Sequence, residues 1–464
     1  MNSIYYVLLI ATISTNIVNS VKSYEGYKLY KVIPKNEEDL KTLEDVRTNS
    51  LGEFWDDQFY VNYKAQIMVA SNKQGIFLDR MKASGMEVTL IIDDLQRAID
   101  DQLKPANNAR SSETFHGYSW DRYHNLDEIY AWLDELESNY PDIITVVTMG
   151  RSVEGRDIKG ITINYRSNRN NTLIGMLEGT LHSREWIAPE TVTWIVKEFL
   201  TSSDPVVRAM AESLEWHIFP VVNPDGYVYT FTTHRMWRKN RSPNNTISCA
   251  SSGVDDDMSH GVDLNRNFDF VWMSIGASDN PCTNTYAGPR AFSEPEAVAI
   301  AQYVLNLKSQ GQFIYYIAFH SYTQLIIIPY SHVNGTDVLL ANNYADMYEI
   351  GIRSAEALAK RFGTVYRVGV SADVMYPMSG TSFDWVKYAA DVPVTYLIEL
   401  RDLGEYGFLL PPEQIIPNNM EIMDAFIEMD IVTRRLGYYA SGTSSLVSFT
   451  IVLFVGLFML IIYN

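Results

Sequence analysis

His182 and Glu185 stand three residues apart in GTLHSREW, directly after the apolar run LIGMLEG at 173–179. In a turn leaving a strand, an imidazole and a carboxylate at this spacing can face one point. Both are zinc ligands, and catalytic zinc sites take three protein ligands and a water. Alone, the pair fits a surface His and Glu equally well. The chain has 8 histidines, and one of them, His320, ends another apolar run, FIYYIAFH at 313–320. Two strands ending in histidine would put both rings at the carboxyl edge of a sheet, where open α/β sheets bind ligands. That makes His320 a candidate third ligand.

The elements that must position these groups show in the hydrophobic pattern. Helical spacing runs through Leu126, Ile129, Tyr130, Leu133 and Leu136, with Pro141 just beyond. Short apolar runs follow at 144–149, 160–164, 173–179, 216–222, 313–320, 325–329, 365–369 and 394–400. Helical patterns lie between several of them, at 191–200, 294–307, 341–361 and 420–435. Long apolar strands alternating with helices predict an α/β domain over 119–436, its sheet covered by helices on both faces. Some strands follow each other too closely for a crossover helix, so the sheet is expected to be mixed, with about eight strands. Before it, residues 21–100 read strand, helix, strand, strand, helix, strand, the ferredoxin-like α+β order. Between the two lies a polar linker, 101–118, in which Arg110 offers a site for a trypsin-like protease.

The formal net charge of −19 argues against a nucleic-acid partner, which would need clustered Lys and Arg. Residues 1–20 read as a signal peptide, cut after Ser20. At the other end, 437–464 holds small residues and then an uncharged run from Leu446 to Tyr463. It suits either a GPI-attachment signal or a terminal membrane helix, and so an extracellular protein tethered to the cell surface. In that compartment Cys249 and Cys282 are expected to pair, with two buried free thiols as the alternative. Sequons begin at Asn170, Asn244 and Asn334.

Six blocks then occur in order: HSREW, NPDG (223–226), RMWRKNR (235–241), GVDLNRNFD (261–269), FHSYTQL (319–325) and IELRDLGEYGFLLP (398–411). Together they resemble the zinc metallocarboxypeptidases of the digestive A/B subfamily, made as procarboxypeptidases. The resemblance covers about 111–436, and the preceding domain is similar to that family's activation propeptide. It implies that His182, Glu185 and His320 hold one Zn²⁺. It makes Glu399 the general base, although by itself a carboxylate ending an apolar strand reads equally as a core Glu paired with Arg401. Arg238 would stabilise the oxyanion. Asn265, Arg266 and Tyr376 would bind the terminal carboxylate of a peptide, a task the planar fork of Arg266 suits. Arg184 and Tyr322 would touch the peptide further along, and Asp263 would orient His182.

Specificity in this subfamily turns on the residue before an Asp-Trp pair, where basic-specific members carry Asp. Here, in GTSFDW, it is Phe383. A lysine or arginine end would be buried unpaired, so an apolar end is expected. Met378 and Leu397 fall at other pocket positions and are bulky, which favours aliphatic over large aromatic ends. Were Asp373 turned inward, basic preference would return. The alternatives to an apolar-preferring enzyme are therefore a basic-specific carboxypeptidase or a catalytically silent relative that binds peptide ends.

Overall fold

The computed structural model describes residues 21–55, 58–106, 114–166, 172–243, 247–249 and 256–440. The expected leader, Arg110, Asn170 and Asn171 of the first sequon, the sequon at 244–246 and the tail from 441 lie outside them. Among the described residues no helix is long and apolar enough to cross a membrane.

The N-terminal domain runs β1 (Lys28–Val32), α1 (Glu37–Thr48), β2 (Glu53–Phe54), β3 (Ala65–Val69), α2 (Gln74–Ser84), β4 (Val88–Ile92) and α3 (Leu95–Gln102). Its strands pair antiparallel in the order β2-β3-β1-β4. Asn36 starts α1 because its side-chain oxygen accepts from the backbone N–H groups of Glu38 and Asp39. Gly85, at φ 77, ends α2 in the left-handed conformation that glycine adopts without cost. Leu43, Val46, Phe77 and Met81 are buried in one core cluster with the strand residues Tyr30, Val32, Ile67 and Val69. The first six of these elements match the predicted strand, helix, strand, strand, helix, strand order. The pattern did not give α3, whose two turns bury Leu95 and Ile99 only because the main domain lies beneath them.

The main domain opens with a small hairpin, β5 (Thr114–Phe115) with β6 (Tyr118–Ser119). It continues with α4 (Leu126–Asn139), β7 (Ile144–Arg151), β8 (Asp157–Ile163), β9 (Leu173–Gly179), α5 (Ile187–Thr201), α6 (Pro205–Ser213), β10 (Glu215–Phe219) and α7 (Pro224–Thr232). Then come α8 (Pro295–Gln310), β11 (Gln312–Ser321), β12 (Leu325–Ile328), the hairpin β13 (Val333–Asn334) with β14 (Asp337–Val338), and α9 (Tyr344–Phe362). Last are β15 (Arg367–Val370), α10 (Ser371–Val374), α11 (Ser382–Ala390), β16 (Val394–Leu400) and α12 (Ile415–Arg435). Eight strands form one mixed sheet in the order β15-β12-β16-β11-β9-β10-β8-β7. The central four, β16, β11, β9 and β10, are parallel.

Helices α4, α5, α6, α9 and α12 cover one face of this sheet, and α8 and α11 cover the other. At Gly175 the sheet leaves no room for a side chain: a Cβ there would lie 2.4 Å from the ring of Trp216. Cys249 and Cys282 form a disulfide. Asn334 is exposed in its hairpin.

Side-chain alternation carries the chemistry to one place. Tyr316 and Ala318 of β11 face α8 and α11, so His320 follows on that side. Leu397 of β16 faces the same way, so Glu399 follows on that side too. His320 and Glu399 are direct partners across the two strands.

The first turn of α11 contains a fully buried carboxyl, Asp384, whose Oδ2 accepts from the backbone N–H of Ser331 at 2.9 Å. Burial pushes this carboxyl up to about 7 from an ordinary 3.8. The folded protein therefore keeps a proton that the unfolded chain releases, and stability falls as pH rises from about 4 to about 7. Asp384→Asn removes that cost. From pH 5 to pH 8 the variant should gain stability on the parent by on the order of 2 to 4 kcal/mol, read as a widening gap in thermal midpoint. A gap that does not change with pH would contradict this.

Candidate active site

β9, β11 and β16 end at the same edge of the sheet, and the expected ligands converge there. His182 and Glu185 lie in the turn between β9 and α5, and His320 is the penultimate residue of β11. Nδ1 of His182 is 2.8 Å from Oε1 of Glu185. Nδ1 of His320 is 3.1 Å from Nδ1 of His182 and 2.9 Å from Oε2 of Glu185. One donor atom from each residue lies within 4.8 Å of the others, and all three side chains are buried.

This cluster fits a cation. Nε2 of His182 is 3.0 Å from Oδ1 of Asp263 and carries the proton, so Nδ1 presents a lone pair to the cluster. Burial, the largest influence on His320, lowers its proton affinity and favours the neutral ring. Two lone-pair nitrogens and a carboxylate aimed at one point repel unless a positive ion sits among them. Two imidazoles and one carboxylate are a zinc donor set.

Around the cluster lie the other expected residues. Arg238 donates from Nη2 and Nε to Oδ2 of Asp263, at 2.9 and 3.2 Å. Asn265 and Arg266 sit in a short 3₁₀ turn, Leu264–Arg266, started by Asp263, whose Oδ1 accepts from the N–H of Asn265 at 3.0 Å. Oδ1 of Asn265 accepts from the N–H of Ser382 at 2.9 Å. Two backbone carbonyls, Gly276 and Asn265, hold the buried guanidinium of Arg266, at 2.7 and 2.8 Å. Arg238, Asn265, Arg266, Tyr376 and Glu399 line one cavity with His182 and Glu185.

That cavity is about 30 Å³. A water needs roughly 10 to 15 Å³ by this measure, so two or three would fit and a peptide end would not. The N-terminal domain explains the small size. Its Tyr63 lines the cavity, and its Tyr60 stacks on Tyr376 with ring centres 5.3 Å apart and planes 11° from parallel. Tyr63 meets the edge of the same ring at 6.1 Å. The carbonyl of Trp55 accepts from Nη2 of Arg184, and Oε1 of Gln66 accepts from the hydroxyl of Tyr322. Both expected peptide contacts are therefore occupied by the chain's own N-terminal domain.

Met378 and Leu397 line the cavity, as expected. Phe383 does not: it is fully buried in the same core cluster as Leu397. Asp373 is exposed on α10. Two contributors escaped the sequence reading. Phe408, inside the quoted block IELRDLGEYGFLLP, supports the guanidinium of Arg184 on its ring, 4.0 Å from the centroid. Met375, next to Tyr376, lines the wall. The first was visible as an aromatic in a recognised block.

Comparison with known proteins agrees with this geometry. The zinc carboxypeptidase family matches residues 129–425, and the carboxypeptidase activation peptide matches 30–102. Zinc carboxypeptidase A 1 of Anopheles gambiae is 40% identical over 80% of this chain and 81% of its own length. The zinc carboxypeptidase of Simulium vittatum is 45% identical over 68% of this chain and 99% of its own. Among solved structures, carboxypeptidase A from Helicoverpa armigera superposes with a TM-score of 0.75 at 27% identity, covering 91% of this chain and 99% of that one. Relatives named carboxypeptidase B and carboxypeptidase O match as well. A chain that shares this family's sequence across both domains, and folds two imidazoles and a carboxylate onto one point, belongs to the zinc carboxypeptidases: it is a metallocarboxypeptidase with one catalytic Zn²⁺ per chain, made as a zymogen with its activation domain attached.

Proposed function

We propose that the mature enzyme removes apolar, preferentially aliphatic, residues from the C-terminus of peptides, with His182, Glu185 and His320 as zinc ligands and Glu399 as general base. The observation that carries this reading is the placement of Glu399 beside His320 on adjacent strands, in one cavity with Arg266. When bound, zinc polarises the scissile carbonyl and acidifies the attacking water. Arg266 and Asn265 hold the terminal carboxylate of the peptide, and Tyr376 closes over it. This anchoring makes the enzyme an exopeptidase, because only a chain end offers a carboxylate one residue from the scissile bond. A carboxylate oxygen of Glu399 takes the proton of the attacking water and delivers it to the leaving amine nitrogen. Arg238, held by Asp263, points its charge at the carbonyl oxygen as negative charge develops there.

The preference follows from the walls. Met375, Met378 and Leu397 supply apolar surface, and the only acids lining the cavity among the described residues are Glu185 and Glu399, both committed to the chemistry. A terminal lysine would find no partner, and an unpaired buried charge costs several kcal/mol. The disulfide suits an oxidising, extracellular setting, and the exposed Asn334 sequon is open to an N-glycan there.

The N-terminal domain is the inhibitor in this reading, and cleavage in the 101–118 linker by a trypsin-like protease lets it leave. Tyr60 and Tyr63 close the subsite for the terminal residue itself, so the uncut zymogen rejects even a blocked dipeptide.

Three measurements test these points. Glu399→Gln should keep one zinc per chain and lose about a hundred- to ten-thousandfold in kcat/KM; retained activity would remove Glu399 from its role. On blocked dipeptides, kcat/KM should rank Leu above Phe, with Lys lower than Leu by at least about a hundredfold; Lys as the best substrate would make the enzyme basic-specific. The uncut zymogen carrying Tyr60→Ala and Tyr63→Ala should gain about tenfold in dipeptide hydrolysis, since each aromatic contact is worth about 0.5 to 1.5 kcal/mol. After cleavage it should match the parent, because the mature chains are identical. An unchanged zymogen would show that the tyrosines are bystanders.

A further inference from the structure

The first residues of the N-terminal domain dock on the main domain at a histidine outside the catalytic cluster. His234 lies just after α7 and is 6% exposed. Lys22 donates its backbone N–H to the carbonyl of Thr233 at 2.7 Å. Its Nζ lies 3.2 Å from Nε2 of His234 and 3.0 Å from Oε2 of Glu53. The hydroxyl of Tyr24 lies 3.1 Å from Nδ1 of His234.

These contacts dictate the state of the ring. A lysine ammonium has donors and no acceptor. Nε2 must therefore present a lone pair, and the ring proton sits on Nδ1, donated to the Tyr24 oxygen. A second proton would put an N–H on Nε2, so that two donors and two positive charges would meet at 3.2 Å.

The surroundings offer little relief. From the N-terminal domain, the groups at the ring are Lys22, Tyr24 and Glu53, and Glu53 is already engaged by Lys22. From the main domain, Arg184 and Arg241 add positive charge. Arg241 is paired with Asp257 at 3.2 Å, which leaves that acid committed. Burial, and then Lys22, hold the imidazole well below its ordinary proton affinity. A separate cavity of about 120 Å³, lined by His234, Glu53, Phe54, Met68 and Arg184, lies beside the ring and gives protons and water a way in.

We propose that His234 is an acid-sensitive latch on the zymogen: the N-terminal domain docks fully only while this imidazole is neutral, and protonation frees residues 21–27 from the main domain. The inference concerns control of the zymogen and does not depend on the proposed substrate preference. Its sign follows from linkage. The undocked ring takes its proton near the ordinary imidazole value, and the docked ring takes it lower. Docking is therefore strongest above about pH 6.5 and weakens by up to about tenfold per pH unit below it. In an acidic fluid the inhibitory domain would loosen before any bond is cut.

Hydrogen exchange on the zinc-loaded, uncut full chain tests this, with uptake in peptides covering 22–30 corrected for intrinsic rates at each pH. From pH 7.5 to pH 5.0, opening of this segment in the parent should rise about ten- to thirtyfold. In His234→Gln, whose amide can still accept from Lys22 but does not titrate, it should stay within about twofold. In Lys22→Met, where no ammonium faces Nε2, the rise should be smaller than the parent's. A parent segment equally protected at both pH values, or a rise in His234→Gln matching the parent's, overturns the latch. Should His234→Gln not fold, a rise in Lys22→Met as large as the parent's overturns it instead.

Discussion

One buried carboxylate, that of Asp263, holds the site together. It is fully buried and receives His182 Nε2, two nitrogens of Arg238 and the backbone N–H of Asn265. Burial alone would push such a group up. Arg238, His182 and Arg266 outweigh that and hold it well below the usual carboxylate range. Each of these partners serves a different part of the reaction as proposed: a zinc ligand, the oxyanion arginine and the pair that binds the peptide end. The spacing between metal, scissile carbonyl and terminal carboxylate is therefore referred to one atom group. In that reading a bond further from the chain end than the last one would not reach the metal while the terminal carboxylate is held, which limits hydrolysis to end-trimming.

That carboxylate can do this only because the sheet delivers its partners to one edge. Parallel strands end on the same side, and joining them requires long crossovers. His182 and His320 are consequently 138 residues apart in the chain, yet adjacent in space. The period-2 alternation of β11 and β16 puts His320 and Glu399 on the same face without any loop having to place them. The proposed ligands and base sit at the ends of buried core strands or directly after them, and Tyr376, proposed to close over substrate, lies in the segment between α10 and α11.

Much of this was legible in the sequence. All eight strands of the main sheet stand out as apolar runs, most strongly the central ones, which are buried on both faces and need unbroken hydrophobicity. The cluster of His182, Glu185 and His320 was legible because His182 closely follows one such run and His320 ends another. What could not be seen depends on contacts between domains. α3 has too few turns for periodicity to declare it. Nothing local in Tyr60 or Tyr63 distinguishes a plug from two ordinary loop tyrosines, because their role exists only against Tyr376, more than three hundred residues away. Phe383 shows the converse. Its position in GTSFDW implies a pocket residue, but its ring is buried in the core cluster that also holds Leu397, and the apolar cavity wall comes from Met375, Met378 and Leu397.

The way the N-terminal domain blocks the site also bears on how tightly it can do so. It engages the groups proposed to recognise peptide: a backbone carbonyl on Arg184, a side-chain amide on Tyr322 and aromatic rings on Tyr376. Contacts that mimic substrate are weak individually, and they compete with peptide when the domain breathes. A second region of contact, remote from substrate, makes the block insensitive to peptide concentration. α3 provides it, since Gln102 donates to the carbonyls of Phe408 and Leu410 at 3.0 and 3.2 Å and accepts from Arg235 at 2.9 Å. Lys22 and Tyr24 on His234 provide it at the other end of the domain. Tethered on both flanks, the plug carries a high effective concentration at the site even though its own contacts are modest. Cutting the linker does not remove these flanking contacts, so release of the domain, rather than the cut itself, is the step at which the catalytic edge of the sheet becomes open to peptide.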